Sequence, residues 1–299
     1  YNYSTGPVPP LTNVTLSNFY VECDGQASGN GLYVTGFQDS KIQNITIHNA
    51  AGFGWLIFGS IRCHYTGNTI DTTRAWDGMT ISVGGSIDNV IEGNTVIDSY
   101  DSGIGFTGTI GTVCVGNYIR RQKVGGNWYA PGIDASGAKN ATITGNYVIG
   151  NERGIQCITH SNTGLQPKRV AVTGNTVALE PGVLPEATSK DGIVISGNTV
   201  FSCDVQAIHL DNCIDTLVTG NNISNSGTAI GLTTTDRCAI TGNLLWLNTN
   251  GVNYNSGNSN LSIAFNNFKQ NGTDFVPGSI SGSSYIVHNG GITAAPYAT

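Results

Sequence analysis

The 299-residue chain has 13 Lys+Arg against 19 Asp+Glu, so 11% of its side chains are charged, under half the roughly 25% of a typical soluble domain. Asparagine alone equals that charged count at 32, beside 33 threonines and 41 glycines. With a net charge of −6 and 39% hydrophobic residues the chain is not disordered, scarce Glu, Lys, Arg and Met argue against a helical bundle, and a pI near 5.2 disfavours a nucleic-acid-binding surface.

The chain opens at Tyr1 without methionine or an apolar leader, which reads as a mature form or an excised fragment. No segment approaches the ~20 apolar residues of a membrane-spanning helix, so membrane insertion is not expected. The longest apolar stretch, Ala50 to Phe58, is short and interrupted by glycine.

From residue 65 onward a short phrase recurs. It reads YTGNTI (65–70), IEGNTV (91–96), VGNYI (115–119), ITGNYV (143–148) and VTGNTV (172–177). It continues as ISGNTV (195–200), VTGNNI (218–223), ITGNLL (240–245) and a degenerate AFNNF (264–268). Its asparagines, from Asn68 to Asn266, are spaced by 26, 23, 29, 29, 23, 23, 22 and 23 residues. A fixed period of this length signals a solenoid. A second phrase of the type x-G-I-x-I falls between most of the first: DGMTI (77–81), SGIGF (102–106), PGIDA (131–135), RGIQC (153–157), QAIHL (206–210), TAIGL (228–232) and NGVNY (250–254). Both alternate apolar and polar residues at period 2, are rich in β-branched residues, and are bounded by Gly-Asn turns, which reads as strands.

Two or three short strands per ~23 residues, with no helix between them, predict an all-β fold: a single-stranded parallel β-helix with 22–29 residues per coil. The expected organisation is one domain over 1–299, with about ten to eleven regular coils between residues 11 and 290. Asparagines in register should form amide ladders, which explains their number without a functional role. Seven cysteines include no CxxC pair, so a cysteine zinc site is not expected. Cys114 and Cys157 fall at interior positions and read as buried thiols.

These phrases resemble the right-handed parallel β-helix proteins of the pectate-lyase-like superfamily, which holds polysaccharide lyases, polygalacturonases, alginate epimerases and phage tailspike depolymerases. The resemblance covers about residues 11 to 290. It implies a glycan-processing protein that is secreted or carried on a virion surface, with a polysaccharide or oligosaccharide partner and, by likeness to tailspikes, a homotrimer. The usual N-terminal capping helix is not visible, as in a trimmed chain. Where the epimerases carry Asp-Pro-His on an early strand, this chain reads GWLIF (54–58).

Aligning the x-G-I-x-I phrases maps one sheet, because stacked coils repeat at about 4.8 Å. The residues expected to point outward are Thr80, Gly105, Asp134, Gln156, His209, Gly231 and Asn253. A second outward set is Ser82, Thr107, Ser136, Ile158, Asp211, Thr233 and Asn255. Acidic groups are few, yet Asp77, Asp101, Asp134 and Glu152 fall on or beside this sheet in four consecutive coils. Paired carboxylates are the working parts of most glycosidases. Asp101 and Glu152, at equivalent positions two coils apart, are the first candidate acid/base pair, with Asp77 and Asp134 as partners or alternates. Plain alternatives stay open: Asp77 and Asp101 as turn residues, Asp134 as a solvated acid.

Longer coils point to the same region, through the insertions 121–131, 159–169 and 178–191. Trp76, Trp128 and Tyr129 are candidates for stacking on sugar rings. Arg153, His160, His209 and Asp211 complete the candidate substrate contacts; as bases, Arg153, His160 and His209 would serve a lyase, which the resemblance associates with calcium. Lys and Arg are too rare to build a wide basic groove, which favours hydrolysis of a neutral or weakly charged glycan over cleavage of a uronate. No metal or cofactor is expected for a hydrolase. A lyase or epimerase, and a non-catalytic adhesin or structural β-helix, are the competing readings. The seven N-x-S/T sequons, Asn13, Asn44 and Asn140 among them, are what an Asn- and Thr-rich solenoid contains by chance.

Overall fold

The computed structural model describes residues 10–82, 85–121, 131–150, 153–178, 186–187, 191–203, 205–255, 257–278, 280–287 and 289–291. Every strand pairing among them is parallel, and no helix interrupts them. The chain winds as a parallel β-helix of about eleven turns, as the repeat predicts. One face is a sheet of 12 strands running from Thr15–Ser17 to Tyr285–Val287. A second has 11 strands, from Tyr20–Glu22 to Asn267–Lys269. The third is in two parts. Six strands run from Leu32–Thr35 to Arg153–Gln156, and five from Glu186–Ala187 to Thr273–Val276.

Register explains why such a low-charge chain still has a core. In the 12-strand sheet Ile91, Cys114, Ile143 and Val172 are direct neighbours on successive coils; in the 11-strand sheet Val96, Ile119, Val148 and Val177 are. All eight are buried, so each coil closes over the apolar row of the next. Trp55 and Tyr65, both fully buried, meet edge-to-face with ring centroids 5.6 Å apart. All seven cysteines are buried free thiols, Cys114 and Cys157 included.

The Gly-Asn phrase is the corner between the two long sheets. Its glycine takes the left-handed conformation, as at Gly93 (φ 60°) and Gly145 (φ 64°), where a side chain would be strained. Its asparagine turns inward. Asn94 Oδ1 accepts both the backbone N–H and the side-chain Nδ2–H of Asn68, each at 2.9 Å. Asn94 Nδ2 donates to the Tyr65 carbonyl at 2.9 Å and to Asn117 Oδ1 at 3.0 Å. The pattern repeats to Asn266, which bonds Asn289 Oδ1, one rung beyond the recognisable phrases. In the earlier coil Asn44 (φ 53°) takes the glycine position and Ile45 the asparagine position, so no GN pair marks that corner.

Candidate active site

The six-strand part of the third face carries the acidic cluster. Its register is Met79 beside Ile104, Ile104 beside Ile133, and Ile133 beside Ile155. That register sets Thr80, Gly105, Asp134 and Gln156 in one row across four coils. Glycines before the inward residues let the coils approach here. A Cβ on Gly78 would lie 2.7 Å from the Gly103 carbonyl oxygen, and one on Gly103 only 2.6 Å from that of Gly132.

On the outer side of this sheet lies a cleft of about 710 Å³. Asp77, Asp101 and Asp134 all line it, together with Trp76 and His160. One end is an apolar ledge of Phe53, Leu56 and Phe58, and the opposite end is polar, with Gln156, Thr159 and Asn162. Trp76 is 47% exposed and stacks on Phe53 with ring centroids 5.7 Å apart and planes 15° apart. Such a ledge presents a broad apolar ring face to solvent beside three carboxylates.

Asp77 is bonded to both its own coil and the next. Its Oδ1 accepts the backbone N–H of Ser102 at 2.9 Å, and Thr80 Oγ1 bonds its Oδ2. The cross-coil bond makes it more than a turn residue satisfying its own backbone. Burial is the main cause that pushes its carboxyl up to about 7, and the Asp101 charge adds to it. The bonds from Thr80 and Ser102 pull the other way, and Asp134 adds a smaller upward push. Asp134 accepts at Oδ1 from the backbone N–H of Ser136 at 2.9 Å and from its hydroxyl at 2.5 Å. Gln156 Nε2 in turn donates to Ser136 Oγ at 3.4 Å. Asp134 is also raised, by burial first; Ser136 and His160 oppose the rise and Asp101 supports it. It is therefore not a freely solvated acid. Asp101 aligns with Trp76 of the preceding coil, and its N–H donates to the Trp76 carbonyl at 3.4 Å.

Beyond the sheet, the segment after Gln156 folds into a turn whose His160 borders the cleft. Thr163 Oγ1 lies 2.7 Å from His160 Nδ1. Arg153 begins the strand Arg153–Gln156 and pairs with Pro131. Glu152, Trp128 and Tyr129 lie outside the described residues. His209 and Asp211 sit on the strand Gln206–Asp211 of the five-strand part and do not line this cleft. There His209 Nε2 is 3.4 Å from Thr233 Oγ1, and Asp211 Oδ1 accepts from Asn212 Nδ2 at 3.0 Å.

The composition and spacing do not single out Phe53, Ser102 or Thr163 as parts of the site. For Phe53 and Ser102 the register was the available signal, since both align with Asp77 on the flanking coils. Thr163 had none, because it meets His160 only through the fold of the turn. Among the described residues, Glu22, Asp24 and His48 bring three ligand atoms within 4.8 Å of one another, outside the cleft. The oxygens of Asp77, Asp101 and Asp134 do not all lie that close to one another.

Comparison with known proteins bears on the fold. Residues 8–177 match the profile of the right-handed β-helix region, and residues 166–290 match that of the periplasmic copper-binding protein NosD. No curated protein sequence matches the chain. The Azotobacter vinelandii mannuronan C-5 epimerase AlgE6 A-module superposes with a TM-score of 0.61 at 16% identity, covering 97% of this chain and 92% of that one. The tailspike protein of E. coli bacteriophage HK620, solved in complex with a pentasaccharide, gives 0.59 at 12% identity, covering 82% and 54%. The Dettilon tailspike protein gives 0.52 at 16% identity, covering 86% and 54%. The chain thus spans about half the length of these tailspike chains. At such identities the likeness establishes the fold alone.

Proposed function

The chain belongs to the right-handed β-helix family, and from that premise we propose that it is a polysaccharide-degrading glycoside hydrolase whose cleft binds a glycan chain. The observation that carries this reading is the meeting of Asp77, Asp101 and Asp134 in one cleft beside the Trp76–Phe53 ledge. A solved relative of the same fold holds an oligosaccharide, which is consistent with a carbohydrate partner here.

In this reading Asp77 is the general acid. A carboxyl raised to about 7 still holds its proton near neutrality and can give it to a glycosidic oxygen. Asp101 is the charged partner, acting as base or nucleophile, and its negative charge helps keep the proton on Asp77. Asp134, held by Ser136, and Glu152 are the alternates. Trp76 supplies a stacking face, and His160, Arg153, Trp128 and Tyr129 are proposed further contacts. His209 and Asp211 would serve only a chain that extends along the five-strand part. The described lining has no Lys or Arg, which favours a neutral or weakly charged glycan. The proposed setting is outside the cell or on a virion surface. The resemblance to tailspikes suggests a homotrimer, which light scattering reads directly.

The test is incubation with plant, algal and bacterial capsular polysaccharides, followed by chromatography and ultraviolet absorbance of the products. Shorter saturated oligosaccharides support the hydrolase. Unsaturated ends would replace it with a lyase, altered sugar composition with an epimerase, and binding without products with an adhesin. If single substitutions Asp77→Asn, Asp101→Asn, Asp134→Asn and Glu152→Gln all leave cleavage intact, the site is wrong.

A further inference from the structure

Gly137 lies three residues beyond Asp134 on the same coil, in the left-handed region at φ 68°. Its N–H donates to the Ile158 carbonyl at 2.9 Å, tying it to the segment that enters the His160 turn. A Cβ on Gly137 would lie 2.9 Å from Leu165 Cβ, 3.0 Å from the Leu165 carbonyl oxygen and 3.2 Å from His160 Cβ. Contacts of that length force something to move, and one of the atoms met is backbone. The turn docks in the space that a side chain at 137 would fill.

The turn is closed on itself. The His160 N–H donates to the Leu165 carbonyl at 2.8 Å, and the Gly164 N–H donates to the His160 carbonyl at 2.8 Å. Thr163 Oγ1 engages Nδ1 of the imidazole at 2.7 Å, which ties the ring to the turn. Segments latched this way shift as units, so displacing Leu165 displaces His160. Among the described lining residues, His160 is the one side chain able to carry positive charge.

We propose that Gly137 is a positioning residue: it seats the His160–Leu165 turn and thereby holds the imidazole of His160 beside Asp134. The consequence for catalysis rests on the glycan-cleaving reading. Two buried carboxyls with like surroundings would compete for one proton, and a cation beside one of them separates their roles. His160 acts on Asp134 in that sense, whereas the leading influences on Asp77 are burial and Asp101. The seat at Gly137 thus keeps the one side chain of the described lining that can carry positive charge beside Asp134.

The seat can be tested without knowing the glycan. In protein carrying ¹³C-labelled aspartate carboxyls, the Asp134 midpoint is followed by NMR in the wild type, His160→Gln and Gly137→Ala. The described titratable groups acting on it are Asp77, Asp101, Cys157 and His160. His160→Gln should raise the midpoint by about one pH unit, the low end for losing an opposite charge nearby. Gly137→Ala should raise it in the same direction while the cooperative melt is retained. If His160→Gln raises the midpoint and Gly137→Ala leaves it at the wild-type value, the seat is not needed and the proposal falls. It falls equally if His160→Gln does nothing. Should Gly137→Ala fail to fold, Thr163→Val loosens the same turn from its exposed side and carries the test with the same expected rise. Where a cleaved glycan has been found, Gly137→Ala should lower kcat/KM by about tenfold or more and displace one limb of the pH profile. A protein that cleaves nothing yet shows both NMR shifts would keep the seat and overturn the hydrolase.

Discussion

Gly105 lies beneath the Asp77 carboxylate: a Cβ at 105 would stand 3.3 Å from Asp77 Oδ2 and 3.3 Å from Thr80 Oγ1. The missing side chain is what lets an acid on one coil reach across the next. Gly105 does not occupy the left-handed region, so alanine is conformationally acceptable there. Gly105→Ala should therefore change stability by less than about 1 kcal/mol while shifting the Asp77 carboxylate by a few tenths of an ångström. The expected result is an unchanged melt with at least a tenfold loss of glycan cleavage. Equal activity in a well-folded variant would show that the Asp77 position is immaterial.

Asp77 should make the protein less stable as pH rises. Its folded value, about 7, lies above the ordinary 3.8 of the free side chain, so the folded state binds the extra proton between those values. The associated stability is fully present below the unfolded value and is lost as pH climbs through about 7. The upper bound is about 4 kcal/mol, from 1.36 kcal/mol per unit. Asp77→Asn removes this dependence and should be more stable than the wild type at pH 8, with a smaller difference or none at pH 4. Urea melts at the two pH values read it, and parallel curves would contradict it. If Asp77 is the acid, cleavage by the wild type should also decline above about pH 7.

The asparagine ladder should weaken more when cut in the middle than at its end. Asn146 Oδ1 accepts from Asn117 N and Nδ2, each at 2.9 Å, and Asn146 Nδ2 donates to the Cys114 carbonyl and to Asn175 Oδ1 at 3.0 Å. Asn146→Ala strands several buried groups at about 1–3 kcal/mol each, for an expected loss of about 3–5 kcal/mol. Asn289 is only partly buried and closes a single rung, so Asn289→Ala should cost about 1–2 kcal/mol. Equal losses in denaturant melts would mean that the ladder is not the source of the stability.

Thiol chemistry gives an independent check on the core. All seven cysteines are buried, and burial pushes the Cys114 and Cys157 thiols far up, away from the reactive thiolate. A thiol reagent should modify the native protein slowly and find seven thiols after unfolding. Reductant should leave the melt unchanged. Rapid labelling of a native thiol would point to an exposed cysteine.

The amino-acid sequence by itself determined the solenoid. The Gly-Asn phrase specifies a left-handed corner and a buried amide, and the alternation of its flanks specifies which residues face inward. Because parallel coils stack in register, aligning phrases was enough to place Asp134 in a row with Thr80 and Gly105. The local pattern failed where the phrase changed its letters, at Asn44 and at Asn289. Only the tertiary structure decided which neighbours each acid has. Ser102 for Asp77, and Phe53 under Trp76, come from other coils. Docking of the His160 turn on Gly137 depends on a loop path that no periodicity encodes. Asp77 and Asp134 owe their raised carboxyls first to burial, which is a property of the assembled cleft. Periodicity is local along the chain, whereas the electrostatics of a site are set by groups that meet only when coils separated by some 25 residues stack.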